Sequence, residues 1–495
     1  MSIPRWPWRV LRWLLIGMSG LGLVVAAFYC FENWQGTHAW REYAAQSAAQ
    51  GEILDALPSP SVLPPERNFM KTPVLDRWAF GPGDDPEFRE YLEAIHAPQK
   101  SMNYLGREKS GGWVGEAWVD CAKTAETWFG VLAEEQARAE VPKEPPARRL
   151  LALMAEMEPV LDELRHAALD RPDSELARAA AIPRNGPLQA PIVRFQLARG
   201  LSYGLAAHGC ATLSEGTIEA AFADTLAGVK LTRGFLAMPD PTIIEPMIGV
   251  VLTRIALQPL WEGNQQHAWT DQQLGQLQAE LSAMHPLEAF ERGMRTDRAE
   301  LVLTLDQASG KVSELPRLGW LCWPTGWTQR SRVAYCTCMQ LVLDIRKAAG
   351  TADFLKFMES ELTKLDAFVS AATFWGSPRI ILGVFAVPAV RKPLAQAVRA
   401  EAFVALARTA CALERYRIAH GRYPDALAVL APAFLDAMPR DVIDGQPLRY
   451  HRLENGTFKL YSIALDGNDD AGTPADSNGS DTASGVDWCW VQLVK

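Results

Sequence analysis

Residues 413–430 read LERYRIAHGRYPDALAVL. Working back from this stretch, Val398, Ala402, Ala405, Thr409, Leu413 and Tyr416 keep a 3.6-residue period, so Leu394 to His420 is expected to be one long amphipathic helix. Gly421 then stands where a helix end calls for positive φ. Pro424 opens a second, short helix over about Asp425 to Leu430. Working forward, the pattern turns to strand alternation after Pro439. Gln446 to Arg452, Thr457 to Ala464 and Val486 to Val494 alternate, and Asn455-Gly456 is a hairpin signal. Residues 391–495 therefore read as an α+β module, a long helix packed on a small antiparallel sheet.

Upstream, from about Glu116 to Leu365, Ala, Leu, Glu and Arg dominate and the apolar residues recur at helical spacing. Leu150, Met154, Met157, Leu161 and Leu164 form one stripe, and Val193, Leu197, Leu201 and Leu205 another. Phe222, Leu226, Val229 and Phe235 form a third. Pro and Gly clusters at 183–188, 239–246 and 324–326 punctuate them. The fold class is mainly α, with a multi-helix domain over 116–390 ahead of the C-terminal module.

The N-terminus reads as a transmembrane signal anchor. Trp13 to Phe31, WLLIGMSGLGLVVAAFYCF, carries no charge and as a helix covers about 28 Å, close to the hydrocarbon thickness of a bilayer. Arg5, Arg9 and Arg12 precede it; Glu32 follows, and Arg41 is the next basic residue. That asymmetry puts the 1–12 tail in the cytoplasm and the rest of the chain outside. Trp6, Trp8 and Trp13 suit one interface, and Phe28, Tyr29 and Trp34 the other. The competing reading is a cleaved signal peptide ending near Ala26 or Ala27, but the run is longer than the usual apolar core of such peptides. Ile380 to Val390 is too short to span and is broken by Pro388. Residues 32–115 then hold a juxtamembrane helix, Trp40 to Leu57, and a Pro-rich extended connector with seven prolines between Pro58 and Pro86.

Composition narrows the function classes. A net charge of −9 argues against nucleic-acid binding, which needs a basic footprint. Eight Cys in 495 residues are too few for a disulfide scaffold. Cys322 can pair with Cys336 or Cys338 in an oxidising compartment, or all three can stay free. No zinc-protease, serine-hydrolase elbow, Walker or Rossmann motif is present. His208, Cys210, His267 and His285 follow no metal-site spacing and read as scattered structural or surface residues. The tryptophan groups 113/118/128, 261/269 and 320/323/327 read as packing residues, with sugar stacking as the sharper alternative. Glu291, Arg292, Arg295, Asp297, Arg298 and Glu300 read as a solvated, salt-bridged helix face, with a buried polar site as the alternative.

The words LERYRIAHGRYPDALAVL, PRDVIDGQPLRYHRLENGTFKLYSIALDGNDD and VDWCW together resemble the soluble half of the major pseudopilin of type II secretion, over about Ala395 to Val491. In that family a long helix ends in a Tyr-Pro corner and packs on a small antiparallel sheet. The hydrophobic, peptidase-processed start of a pseudopilin is missing, because nearly 390 other residues precede the helix. The resemblance thus implies a borrowed fold and not a fibre subunit. Trp40-x-x-Tyr43, Gly51-Glu52 and Asn68-Phe69 in turn resemble membrane-anchored bacterial proteins that join a helical middle to this same module.

One loop carries candidate chemistry. Between Ala464 and Trp488 lie Asp466, Asp469, Asp470, Asp476, Asp481 and Asp487, with no Lys or Arg. Crowded carboxylates repel unless a cation or water screens them, and hard oxygens at mixed spacing suit Ca²⁺. The spacing is not that of an EF-hand. In the major pseudopilin the matching loop holds calcium. By that resemblance Ser462-x-x-x-Asp466-Gly467 and Asp487-Trp488-x-Trp490 take the corresponding places. Asp466, Asp470, Asp481 and Asp487, with the Leu465 carbonyl, are then the metal-ligand candidates for a structural calcium ion. A solvated turn-forming loop is the alternative. No residue is singled out as catalytic. The expectation is a single-pass protein of the bacterial inner membrane, with its N-terminus cytoplasmic and its bulk periplasmic. Residues 13–31 would contact the lipid bilayer, and a structural, adaptor or secretion-related role would bring an envelope protein partner. The alternatives are an envelope glycan or peptide hydrolase using Asp297, Glu300 and Trp323, or a carbohydrate-binding protein.

Overall fold

The computed structural model describes residues 6–54, 63–80, 117–128, 145–177, 192–310, 323–374, 379–380, 383–384, 387, 389–474 and 486–492. The principal helices are α1 Trp6–Ala49, α2 Pro73–Phe80, α3 Pro146–Leu153, α4 Glu158–Asp170, α5 Ile192–Ser214 and α6 Ile218–Leu236. They continue with α7 Ile244–Gln265, α8 Asp271–Ser282, α9 Pro286–Gly310, α10 Thr325–Ala348, α11 Phe354–Phe374 and α12 Arg391–His420. Three strands follow: β1 Arg449–Arg452, β2 Phe458–Ser462 and β3 Trp488–Trp490. The chain is thus mostly helical, with a small antiparallel sheet and one long apolar helix near its N-terminus. It divides into two compact units.

The first unit holds Met1–Leu57, Asp297–Asp344 and Ser360–Val390. The expected span and the first part of the expected juxtamembrane helix, Trp40 to Ala49, are one uninterrupted rod, α1; the helix stops there, short of the expected Leu57, and residues 50–54 are turn and coil. What changes along it is the environment. The large apolar side chains between Val10 and Phe31 are exposed, Leu23 by 73%, whereas Glu32 is only 1% exposed. From Glu32 onward α1 packs on α10. Gly36 and Gly326 meet so closely that a Cβ on either would overlap the opposing backbone. Farther along, the Arg332 guanidinium lies 5.2 Å from the centre of the Trp40 ring.

The second unit holds Pro58–Thr296, Ile345–Glu359 and Arg391–Lys495. Here α5, α6 and α7 pack on one another, and α4 covers α6. Phe222, Leu226 and Val229 are buried as their periodicity suggests, but α6 is buried on nearly all sides, from Ala221 to Leu236 with the exception of Arg233. Thr270 and Gln273 form a reciprocal capping box that starts α8. The Pro-rich segment is not a free connector where it is described. Phe69 and Met70 are fully buried, and Asn68 accepts hydrogen bonds from the Met70 and Glu175 N–H groups at 3.0 Å each. That single side chain satisfies a 3-10 turn and splices the segment beside Asp173.

Helix α12 packs on α7 and α8, and also on β2 and β3. It ends at Gly421, whose φ of 73° and N–H bond to the Arg417 carbonyl (2.7 Å) are those of a C′ glycine. After Pro424 a 3-10 turn, Leu427–Leu430, replaces the expected short α-helix. The sheet order is β1-β2-β3, antiparallel throughout, with Arg449 opposite Tyr461 and Leu460 opposite Trp490. Phe458, Leu460, Trp488 and Trp490 are all buried.

Candidate functional site

The acidic loop leaves β2, and Asp487 closes it just ahead of β3. Ala471 (φ 56°) and Gly472 (φ 70°) curl the backbone left-handed, which turns successive N–H groups inward. Asp487 Oδ2 accepts two of them, from Asp470 at 3.0 Å and Gly472 at 2.9 Å. The Asp487 N–H in turn donates to the Thr473 carbonyl at 2.7 Å. Asp487 is 1% exposed. Burial pushes its carboxyl up to about 6; the Gly472 N–H opposes the rise, and the Asp469 and Asp470 charges add to it. Two oxygens are left over. Asp487 Oδ1 and Asp470 Oδ2 are buried and have no hydrogen-bond partner.

The other predicted ligands are spread along the same loop. Asp466 Oδ1 accepts the Asn468 N–H (3.2 Å), and Leu465 sits in the turn just before it. Asp481 lies outside the described residues, as do Asp476 and Asn478. Asp469 has a different role: its Oδ1 accepts the Tyr461 hydroxyl and the Ala471 N–H, both at 3.0 Å. Among the described residues no three His, Cys, Asp or Glu side chains converge as a metal-binding group. The pair of orphaned carboxylate oxygens matches the hard donors that Ca²⁺ prefers.

Beneath the loop, Asp441 of the Pro-Arg-Asp-x-x-Asp-Gly turn locks the sheet. Its Oδ1 accepts from the Ser462 hydroxyl (2.8 Å) and the Ile443 N–H (3.0 Å). Its Oδ2 accepts from Arg449 (2.9 Å) and the Ile463 N–H (3.1 Å). Burial raises the Asp441 carboxyl, against the pull of these donors. The Tyr-Pro corner is held likewise. Buried Glu414 takes the Tyr423 hydroxyl on one oxygen and, on the other, His267 (3.1 Å) and Arg417 (2.9 Å).

The three histidines singled out in the sequence take three separate carboxylates: His208 with Asp224, His267 with Glu414, and His285 with Glu401. His208 belongs to a buried network that the sequence does not announce. Asp224, fully buried, accepts from Arg165 Nε and pairs with His208 Nδ1, each at 2.7 Å. Glu158 closes the group on Arg165 at 2.7 Å and on His208 Nε2 at 3.3 Å. The hydrogen bond from Arg165 holds the Glu158 carboxyl below its usual range, against partial burial. Glu158 and Arg165 are seven residues apart on α4, a two-turn spacing visible in the sequence. The His208–Asp224 match across α5 and α6 is not.

The charge run on α9 divides. Arg295 pairs with Glu291 (3.0 Å) and Arg292 with Glu288 (2.8 Å), as a helix face does. Arg298, however, is 1% exposed and bound to Glu52 (2.7 Å) and Gln340 (2.8 Å), so this part of the run is core and not a solvated surface. Cys336 and Cys338 are free, buried thiols, each raised to about 12 chiefly by burial; Cys322 lies outside the described residues. Trp128, Trp261, Trp269, Trp488 and Trp490 are buried. Trp261 donates to the Val491 carbonyl at 2.8 Å. Trp323 instead donates to Thr328 (3.3 Å) and meets Trp327 edge-on.

No protein-family model, curated protein or solved structure matches the chain.

Proposed function

We propose that the chain is a single-pass protein of the bacterial envelope, anchored by residues 13–31 with its N-terminus in the cytoplasm and its bulk in the periplasm. In this reading it has a structural or adaptor role beside another envelope protein. The observation that carries this is the change along α1: an exposed apolar stretch up to Phe31, then a buried carboxylate at Glu32, in one unbroken helix. Exposed Leu, Val, Trp and Phe at this density are stable only in lipid. The length of the uncharged run, Trp13 to Phe31, which exceeds the usual apolar core of a signal peptide, supports an anchor over a cleaved peptide. Positive charge confined to Arg5, Arg9 and Arg12 supports the orientation.

The C-terminal module is proposed to be pseudopilin-like. The support is the motif order together with a long helix, a Tyr-Pro corner locked by Glu414, and a three-stranded sheet. Calcium is proposed as a structural ion of the acidic loop. Asp487 and Asp470 would hold it, with Asp466, Asp481 and the Leu465 carbonyl in support, and it would neutralise their mutual repulsion. Protease added to spheroplasts, followed by mass measurement of the mature N-terminus, tests the main reading. The expected result is digestion of the bulk of the chain with Met1–Phe31 still attached in untreated cells. A mature chain starting near Phe28, or a bulk shielded from protease in spheroplasts, would overturn it.

A further inference from the structure

The first unit has a rim at the level of Glu32, and its composition is that of a membrane interface. Helix α10 begins there: the Gly326 N–H donates to Asn33 Oδ1 at 2.9 Å, and Gly326 lies against the Glu32 backbone. Trp327 Nε1 donates to Glu32 Oε2 at 2.9 Å, and its ring meets Phe28, the last turn of the apolar stretch, edge-on at 6.3 Å. Trp323 stacks edge-on against Trp327 at 5.2 Å. Arg379 grips both oxygens of Glu32, at 2.9 and 2.6 Å, yet its side chain remains 45% exposed. A guanidinium carries five donors and Glu32 uses two, so Arg379 can still serve a phosphate oxygen.

The spacing agrees with this placement. Arg12 lies 20 residues before Glu32, about 30 Å along a helix, which is the hydrocarbon thickness of a bilayer. With Glu32 at the outer boundary, the cytoplasmic arginines begin at the inner one. Tryptophan and arginine are the side chains favoured at that depth, Trp for its amphipathic ring and Arg for lipid phosphate. We infer that this rim, Trp323, Trp327 and Arg379 around Glu32, is a phospholipid-headgroup binding surface that seats the first unit directly on the outer face of the bilayer. The inference rests on the anchor reading, and it goes further by making the folded unit itself a lipid ligand.

The test uses the full chain in phospholipid nanodiscs with Cys30, Cys322 and Cys489 all replaced by Ser, so that the native cysteines left are the buried ones. Nitroxide labels are placed at Thr325→Cys, which is exposed at the rim, at Leu21→Cys in the apolar stretch, and at Glu454→Cys on the hairpin turn as an aqueous reference. The ratio of oxygen to nickel-chelate accessibility is read at each. The expected result is a ratio at 325 several-fold above that at 454 and below that at 21. Label 325 matching label 454 while label 21 reports hydrocarbon would overturn the headgroup surface and leave the anchor standing. Label 325 shielded from both reagents would mean that protein covers the rim, which also overturns it. An aqueous or missing label 21 would remove the anchor reading and this inference together.

Discussion

Asp487 is a carboxylate with one oxygen satisfied by two N–H groups and the other buried without a partner. Burial, with the carboxylates of Asp469 and Asp470 beside it, makes the folded loop hold a proton at 487 more tightly than the unfolded chain does. A carboxyl near 3.8 unfolded and about 6 folded makes stability fall as pH climbs from about 4 to about 6, and the deficit persists above that. Asp487→Asn keeps an acceptor for the Asp470 and Gly472 N–H groups and removes the charge. Without calcium at pH 7.5 its melting temperature should exceed that of the wild type, and the pH 4–6 slope should flatten. Millimolar calcium should raise the wild-type melting temperature and leave Asp487→Asn unmoved; scanning calorimetry with chelator and with calcium reads both. A wild type indifferent to calcium would return the loop to a plain acidic turn. Asp224 is the opposite case, a buried charge fully engaged by Arg165 and His208. Asp224→Asn strands part of the Arg165 charge in the core and should cost about 3 kcal/mol, read as a lower urea midpoint with unchanged slope.

At the scale of elements, two glycines separate conformation from packing. Gly421 needs positive φ but has open space around a Cβ. Gly421→Ala should therefore cost only the left-handed penalty, about 1–2 kcal/mol. Gly36 is helical, and a Cβ there would collide with the Gly326 backbone. Backbone cannot move aside as a flexible side chain does, so Gly36→Ala should exceed the usual overpacking cost of about 1–3 kcal/mol. Thermal unfolding of the two variants in one detergent ranks them; equal losses would contradict the close α1–α10 contact. The same pair shows what the sequence could tell. Gly421 before Arg-Tyr-Pro announces a helix end because the signal is local, and the strands were legible for the same reason, through alternation and Asn455-Gly456. Gly36 reads as a weak point in a helix, because its partner is 290 positions away. Asn68, His208 and Arg298 were opaque for that reason too: each is fixed by residues distant in sequence. The acidic loop was legible as a cluster of like charges. Which carboxylates would be buried and left unpaired depends on the curl at Ala471 and Gly472, and local composition does not encode that.

At the scale of the whole chain, the decisive asymmetry is electrical. Arg5, Arg9 and Arg12 lie within eight residues of the start of the apolar run, while the other side offers only Arg41, ten residues past Phe31 and preceded by Glu32. Because Lys and Arg near the ends of a span set its orientation and acidic residues contribute little, in the proposed topology this three-to-one bias would hold the bulk of the chain outside. Replacing Arg5, Arg9 and Arg12 together by Ala leaves Arg41 as the only basic residue close in sequence to either end. The apolar run and the Glu32–Arg379 pair are untouched, so insertion and folding of the first unit should survive while the direction of insertion loses its bias. A periplasm-dependent phosphatase fused after Lys495 reads the outcome. Its activity per molecule should be high in the wild type and should drop by at least half in the triple variant, with the membrane-bound amount of fusion protein unchanged. Equal activity in both would mean that the folded mass beyond Glu32 dictates the topology regardless of the flanking arginines, and the charge argument for the orientation would have to be given up.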